Sequence, residues 1–212
     1  NLKLKNFIKI KNYKFKIVKH NLLELQKESD LFLDWYLKNN CKKKDFKKNK
    51  IKIKKELRSL FTRLHFQNRC FVHRDFHASN IMIKKKSFGL IDSQDALNGN
   101  LLYDPASLID DVRIKLPLDL KYKLFDYYLS KTKKIKETEK TLAKNDFDIL
   151  SIQRNLKILG IFVRLCKRDK KSNYLKYLPY TWDLLQLRLK NPIFNNLRAL
   201  LIEAVPIKKR TK

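Results

Sequence analysis

The stretch Cys70-Phe71-Val72-His73-Arg74-Asp75-Phe76-His77-Ala78-Ser79-Asn80-Ile81-Met82-Ile83, closed by Gly89-Leu90-Ile91-Asp92, is where the fold is decided. Its three apolar runs, Cys70–Val72, Ile81–Ile83 and Gly89–Ile91, have the length and composition of buried strands. The polar residues Lys84 to Ser87 between the last two predict a hairpin. Outward from this small β element, the apolar spacing lengthens to that of helices. Upstream, Leu22, Leu25, Ser29, Phe32 and Tyr36 share one face, flanked by Leu23, Leu31 and Trp35. A polar, lysine-rich break follows from Asn39 to Asn49. Ile53, Leu57, Leu60 and Leu64 then mark a second amphipathic helix, ending near Asn68. Downstream, Asp104 is expected to cap a helix over Ala106 to Ile114, with Pro105 at its first position. Ile152, Leu156, Leu159, Val163 and Cys166 line another helix, and Pro179 and Pro192 open the last two. The fold class expected is mainly α with a small β-hairpin element, in one domain without internal repeats or a Pro/Gly/Ser-rich linker.

Of the 212 residues, 43% are hydrophobic and 11% aromatic, enough to fill a core although 33% are charged. That balance excludes a disordered chain. Three scattered cysteines (Cys41, Cys70, Cys166) exclude a disulfide framework, and no histidine or cysteine spacing suggests a zinc site. No apolar run approaches the ~18 residues of a membrane span, and no signal-peptide pattern opens the chain. Reduced thiols and a cytoplasmic location are expected, with no membrane partner. The 50 Lys+Arg against 21 Asp+Glu give a net charge of +29. Such a charge points towards a basic nucleic-acid-binding module. The lysines are nevertheless spread along the chain, with local clusters at Lys42–Lys44, Lys47–Lys55 and Lys84–Lys86, and no arginine-rich arm accompanies them. Lys, Asn and Ile are all abundant while Gly falls to 3, as an AT-rich coding bias produces. Nucleic acid is therefore not the partner expected.

The polar residues around the β element carry the chemistry. His73 to Asn80 reads H-R-D-x-x-x-x-N, and Asp92 ends the hairpin. Phosphoryl transfer requires a carboxylate to take the proton of the acceptor hydroxyl. It also requires an amide oxygen and a second carboxylate to hold Mg²⁺ across the nucleotide phosphates. Asp75, in a loop after a strand, can face a cleft, and the hairpin brings Asn80 close to Asp92. An Asp and an Asn in a loop also serve as turn and cap residues, but order, spacing and strand–loop–strand context agree here. His73 is expected to brace the loop by packing and hydrogen bonding. Arg74 can pair with a nearby acid, and His77 can touch substrate or cap.

A protein kinase would follow this loop with D-F-G and A-P-E. This chain has Ile91-Asp92-Ser93-Gln94-Asp95-Ala96, then Gly99, then Tyr103-Asp104-Pro105-Ala106-Ser107-Leu108-Ile109-Asp110-Asp111. These motifs resemble the aminoglycoside phosphotransferase/choline kinase superfamily, which has a protein-kinase-like fold. Leu31 to Leu37 upstream and Gln153 to Phe162, Arg168-Asp169, Tyr174-Leu175 and Leu178-Pro179 downstream extend the resemblance from about Leu22 to Pro206. They direct it towards the branch of bacterial cell-wall sugar kinases. The resemblance implies Asp75 as catalytic base, and Asn80 and Asp92 as Mg²⁺ ligands at the nucleotide. It implies supporting places for His73, Arg74, Asp95 and Asp104, the two acids bracing the loop and capping the helix that follows. ATP is the implied donor. An amino sugar, N-acetylmuramate or N-acetylglucosamine, is the implied acceptor, phosphorylated at its anomeric hydroxyl in peptidoglycan recycling. Ser93 stands where the superfamily usually has an aromatic residue, and Pro105 where it has Leu.

No glycine precedes Gly89, and no strand-rich segment offers the lysine that meets ATP phosphates in that superfamily. Residues 1–212 are therefore expected to be the helical C-terminal, catalytic-loop lobe, with 1–19 a remnant of the hinge or linker and the N-terminal ATP lobe largely absent. On that expectation the isolated chain binds magnesium and acceptor weakly and turns over negligibly. Another acceptor of the superfamily (an aminoglycoside, choline or homoserine) and a non-catalytic remnant are the alternatives. The +29 charge disfavours a cationic aminoglycoside and suits a carboxylate-bearing sugar such as N-acetylmuramate. Gln153, Arg154 and Asn155, beside an apolar stripe, are candidates either for the acceptor pocket or for a solvated surface.

Overall fold

A computed structural model describes residues 7–10, 12–16, 18–67, 70–85, 87–133 and 135–210. In chain order the elements are β1 (Phe7–Ile10), β2 (Tyr13–Lys16), α1 (Leu22–Leu31), α2 (Lys38–Asn40), α3 (Phe46–Thr62), β3 (Cys70–Val72), β4 (Ile81–Lys84), β5 (Ser87–Leu90), β6 (Leu97–Gly99), α4 (Tyr103–Ile109), α5 (Leu118–Lys131), α6 (Lys140–Asp169), α7 (Leu178–Arg188) and α8 (Asn195–Ala204). The mainly helical class with a small β element is what the structure has. The chain groups into two compact units, residues 1–21 with 65–147 and residues 22–64 with 148–212. One boundary falls inside α6, so no Pro/Gly/Ser composition marks it. No helix of the described residues is long and apolar enough to cross a membrane.

Among the described residues, the first unit holds three antiparallel strand pairs, β1–β2, β3–β6 and β4–β5. Part of the segment read as a hinge or linker remnant is thus a hairpin; residues 1–6, 11 and 17 lie outside the described residues. Residues 18–20 run beside β6, where Asn98 N–H donates to the Val18 carbonyl (2.8 Å) and His20 N–H to the Asn98 carbonyl (2.7 Å). β3 pairs with β6 in the register Cys70↔Gly99 and Val72↔Leu97, and the predicted hairpin forms with Ile81↔Leu90 and Lys84↔Ser87. Lys85 turns that hairpin at φ 55°, and Ser87 Oγ closes it on the Lys84 carbonyl. Its strands are not buried as their apolar composition suggested. Met82, Ile83, Phe88 and Leu90 are exposed, whereas Val72 of β3 is buried. A two-stranded ribbon has two faces to cover, and these side chains are covered on neither.

Helix boundaries also differ from expectation. α3 stops at Thr62, well short of Asn68, which lies outside the described residues. Just beyond it, the buried Asp146 carboxylate accepts the N–H groups of His65 (2.9 Å) and Phe66 (2.9 Å), withdrawing them from any helical ladder. α4 begins at Tyr103, so Asp104 lies inside its first turn rather than capping it. Its end is held by a buried ion pair, Lys121 Nζ to Asp110 Oδ1 at 3.0 Å.

In the second unit, α1 continues through a π-helical turn, Phe32–Leu37, into α2. The buried pairs Glu28–Ser29, Phe32–Leu33 and Tyr36–Leu37 recur every four residues. An α-turn of 3.6 residues would rotate the last pair away, and a wider π turn keeps it on the same face. α3 starts at Phe46, inside the predicted polar break, and buries Asn49 with Ile53, Leu57 and Leu60. Along α6, Ile152, Leu156, Leu159 and Val163 are buried as their spacing predicts. Gly160 meets α1 there: a Cβ on it would stand 2.3 Å from the Leu31 carbonyl. Near the C-terminus, the Trp182 indole donates to the Tyr36 hydroxyl (2.7 Å), and the Arg210 guanidinium lies 4.6 Å over the Trp182 ring. Burial pushes the Tyr36 hydroxyl up to about 12. Gln153, Arg154 and Asn155 are buried rather than solvated. Gln153 donates to the buried Glu28 carboxylate at 2.7 Å, with Lys157 completing the site at 3.1 Å.

Candidate functional site

β3 hands the chain to the loop 73–77, which a short 3₁₀ turn, Ala78–Asn80, connects to β4. The loop is held from α4. Asp104 Oδ2 accepts the His73 N–H at 2.7 Å and Oδ1 the Arg74 N–H at 3.1 Å. Arg74 itself stands at φ 78°. That left-handed backbone costs a residue with a side chain roughly 1–2 kcal/mol, and the paired N–H bonds to one carboxylate offset it. Past Asp75, a second acid of the same region takes over. Asp111 Oδ2 accepts the Ala78 N–H at 3.0 Å. The segment carrying Asp75 is thereby pinned on both sides.

Asp75 is half-buried, and its carbonyl accepts both the His77 N–H (3.1 Å) and the Asn80 side-chain Nδ2 (3.0 Å). The loop thus folds back so that Asp75 and Asn80 are neighbours. On the other side, Ile91 N–H donates to the Asn80 carbonyl at 3.1 Å, one residue short of Asp92. His73 spans the same gap. Its Nε2 donates to the Ile91 carbonyl at 3.0 Å, which requires the Nε2–H tautomer because a carbonyl only accepts. Asp92 follows, exposed and at φ 62°. The structure therefore brings Asp75, Asn80 and Asp92 into one neighbourhood through His73 and the hairpin. Asp95 lies apart, exposed in the turn that Ala96 N–H closes on the Ser93 carbonyl. The bracing expected of Asp95 and Asp104 is divided instead between Asp104 and Asp111.

Behind the loop, Phe71, Val72, Phe76, Leu101, Leu108 and Tyr128 line a cavity of about 480 Å³. Tyr128 donates to the Leu101 carbonyl at 2.6 Å, and burial raises its hydroxyl to about 12. Phe76 of the loop thus shares an apolar lining with residues of β3, α4 and α5. Residues 70–111 contain six acids against four basic residues, a net of −2 within a chain of +29. Carboxylates and an amide oxygen gathered in this way are the donor types that hard divalent cations take. Asp111 stands in the quoted motif, but its hold on Ala78, like that of Asp146 on His65 and Phe66, was not read there because backbone partners far away in sequence leave no mark on residue type.

Residues 18–138 match the phosphotransferase enzyme family (APH). Over 166 residues the chain is 32% identical to the N-acetylmuramate/N-acetylglucosamine kinase of Pseudomonas aeruginosa, covering 73% of this chain and 47% of that protein. The protein of the same name from Neisseria meningitidis is 30% identical over 157 residues, 72% of this chain and 47% of its own. That of Caulobacter vibrioides is 29% identical over 145 residues, 66% and 39% respectively. The chain thus spans about half the length of the curated relatives it matches, or less. The loop from His73, the hairpin and both bracing acids all fall within the family match, and on that match the chain belongs to the phosphotransferase enzyme family.

Proposed function

We propose that this chain supplies the catalytic loop for ATP-dependent phosphorylation of an amino sugar, N-acetylmuramate or N-acetylglucosamine, at its anomeric hydroxyl. The observation that carries the reading is the convergence of Asp75, Asn80 and Asp92 through the His73–Ile91 and Asn80–Asp75 bonds. The names of the relatives support the acceptor, and peptidoglycan recycling in the cytoplasm, where ATP is available, is the setting they suggest.

Asp75 would orient the sugar hydroxyl and accept its proton as the oxygen attacks the γ-phosphorus of ATP and the bond to ADP breaks. Asp104 and Asp111 hold the loop on both sides of Asp75, which would limit the rearrangement this carboxylate makes to meet the hydroxyl. Asn80 and Asp92 fit Mg²⁺: the Asn80 amide nitrogen is committed to the Asp75 carbonyl, which leaves its oxygen as the donor, and Asp92 presents an exposed carboxylate. Bound there, Mg²⁺ would neutralise charge on the phosphates. Left-handed backbone at Arg74 and Asp92, on both sides of the group, is strain of the kind that collects where geometry serves chemistry.

The test is phosphate transfer by the protein that contains this chain, with sugar 1-phosphate followed by phosphorus NMR and ADP by a coupled assay. Asp75→Asn should lower kcat by about 10²–10⁴-fold and leave ATP affinity nearly intact. Near-normal turnover by that variant would remove Asp75 from the role of base. A wild-type protein that phosphorylates neither sugar would remove the acceptor assignment.

A further inference from the structure

Asp111 does two things with one carboxylate. Oδ2 accepts the Ala78 N–H of the loop, while Oδ1 accepts both the backbone N–H of Arg113 (3.1 Å) and its guanidinium Nη1 (3.2 Å). Ala78 needs only one oxygen, which an asparagine could supply. The second oxygen is given wholly to Arg113. A side chain 3% exposed therefore fixes a guanidinium that is itself 27% exposed. Arginine carries five donors in a planar fork suited to carboxylates and phosphates. Among the described residues only Nη1 of that fork is bonded.

The surroundings give this cation a use. Asp75 and Asp92 lie in a stretch whose own net charge is −2, so an anionic acceptor approaching Asp75 meets repulsion. A fixed cation beside the loop offsets that repulsion, and Arg113 is tied to the very carboxylate that pins Ala78, between Asp75 and Asn80. Lys121, also fixed by a carboxylate, is buried on Asp110 at 3.0 Å and faces no solvent. We propose that Arg113, oriented by Asp111, anchors the carboxylate of an acidic sugar acceptor and so sets preference for N-acetylmuramate over N-acetylglucosamine. The inference deepens the sugar-kinase reading and rests on it.

The two sugars form their own control, because N-acetylglucosamine has no carboxylate. In the protein that contains this chain, Arg113→Ala should lower kcat/KM for N-acetylmuramate by about 10–100-fold, the effect of one charge-assisted pair, with N-acetylglucosamine within about threefold. Arg113→Lys, which keeps charge but loses the fork, should fall between the wild type and Arg113→Ala. Asp111→Asn keeps an oxygen for Ala78 but loosens the hold on the guanidinium, so it should lower kcat/KM for N-acetylmuramate more than for N-acetylglucosamine. Equal losses on the two sugars with Arg113→Ala, or none on either, would overturn the proposal. Binding of N-acetylmuramate by ligand-observed NMR needs no turnover and separates the two readings. A wild type that binds the acid in an Arg113-dependent way but does not phosphorylate it would sink the kinase reading and keep the anchor. Binding that Arg113→Ala leaves unchanged, or no binding at all, would sink the anchor.

Discussion

Gly160→Ala sets two physical effects against each other with opposite signs. In the interior of a long helix, alanine in place of glycine ordinarily stabilises by about 0.5–1 kcal/mol through backbone entropy. Here the added methyl would lie 2.3 Å from the carbonyl carbon and oxygen of Leu31 and 2.5 Å from the nitrogen of Phe32. These are backbone atoms at the start of the π turn, so no side chain can swing aside. Relief requires α1 and α6 to part by about an ångström, a gap that forfeits roughly a quarter to a half of the dispersion attraction across it. Overpacking of this kind costs about 1–3 kcal/mol or somewhat more, so the contact wins over propensity. We expect a net loss of about 2 kcal/mol, or about 4–8 °C in Tm for a chain of this size. Urea unfolding followed by tryptophan fluorescence is the suitable assay, because Trp35 and Trp182, the chain's 2 tryptophans, both belong to the unit that holds Gly160. A variant as stable as the wild type, or more stable, would show that the helices do not meet at this glycine.

Two further outcomes follow from the acids of the first unit. Asp104→Ala leaves the N–H groups of His73 and Arg74 without their acceptor; the urea midpoint should fall by the equivalent of about 2–4 kcal/mol, and a change under 0.5 kcal/mol would mean that the loop is held by other contacts. Burial raises the Asp146 carboxyl above its ordinary 3.8, outweighing the donors His65, Phe66 and Asn100 that favour its ionised form. The folded chain then holds a proton that the unfolded chain releases, so this group's stabilisation is present below pH 3.8 and is lost as pH rises through the folded value. Asp146→Asn should remove that decline from a plot of urea midpoint against pH, whatever it does to the overall level. An unchanged slope would refute the assignment.

The candidate site was legible because its residues are contiguous in sequence. Asp75, Asn80 and Asp92 fall within two strands and a turn, and the hairpin register follows from local apolar runs. For Asp104 the bracing of the loop was legible, whereas the helix cap also expected of it is not made, since a carboxylate that caps its own helix and one that reaches back to His73 have the same sequence. Asp146 acts on His65 across most of the first unit, and no periodicity encodes such a bond. The exposed faces of β4 and β5 were misread for a related reason: apolar composition reports what a strand can bury, not whether a layer exists to cover it. The π turn was hidden in plain spacing. Pairs every four residues lie close enough to 3.6 to pass for an α-helix, and only the burial of Tyr36 together with Leu37 separates them. Gln153 and Asn155 were ambiguous because polarity alone does not distinguish solvent from a buried partner such as Glu28.

The exposed hairpin bears on how copies of this chain behave together in solution. Met82, Ile83, Phe88 and Leu90 face water on a two-stranded ribbon, a shape that invites edge-to-edge sticking. Lys84 and Lys85 sit at its tip, where charge keeps such segments apart. A net charge of +29 adds repulsion between whole molecules. Apolar attraction acts only at contact, whereas this repulsion reaches roughly 8 Å at physiological salt and shortens as salt rises. The positive charge therefore works as a colloidal spacer, and ionic strength, more than the fold, sets how closely two such hairpins approach.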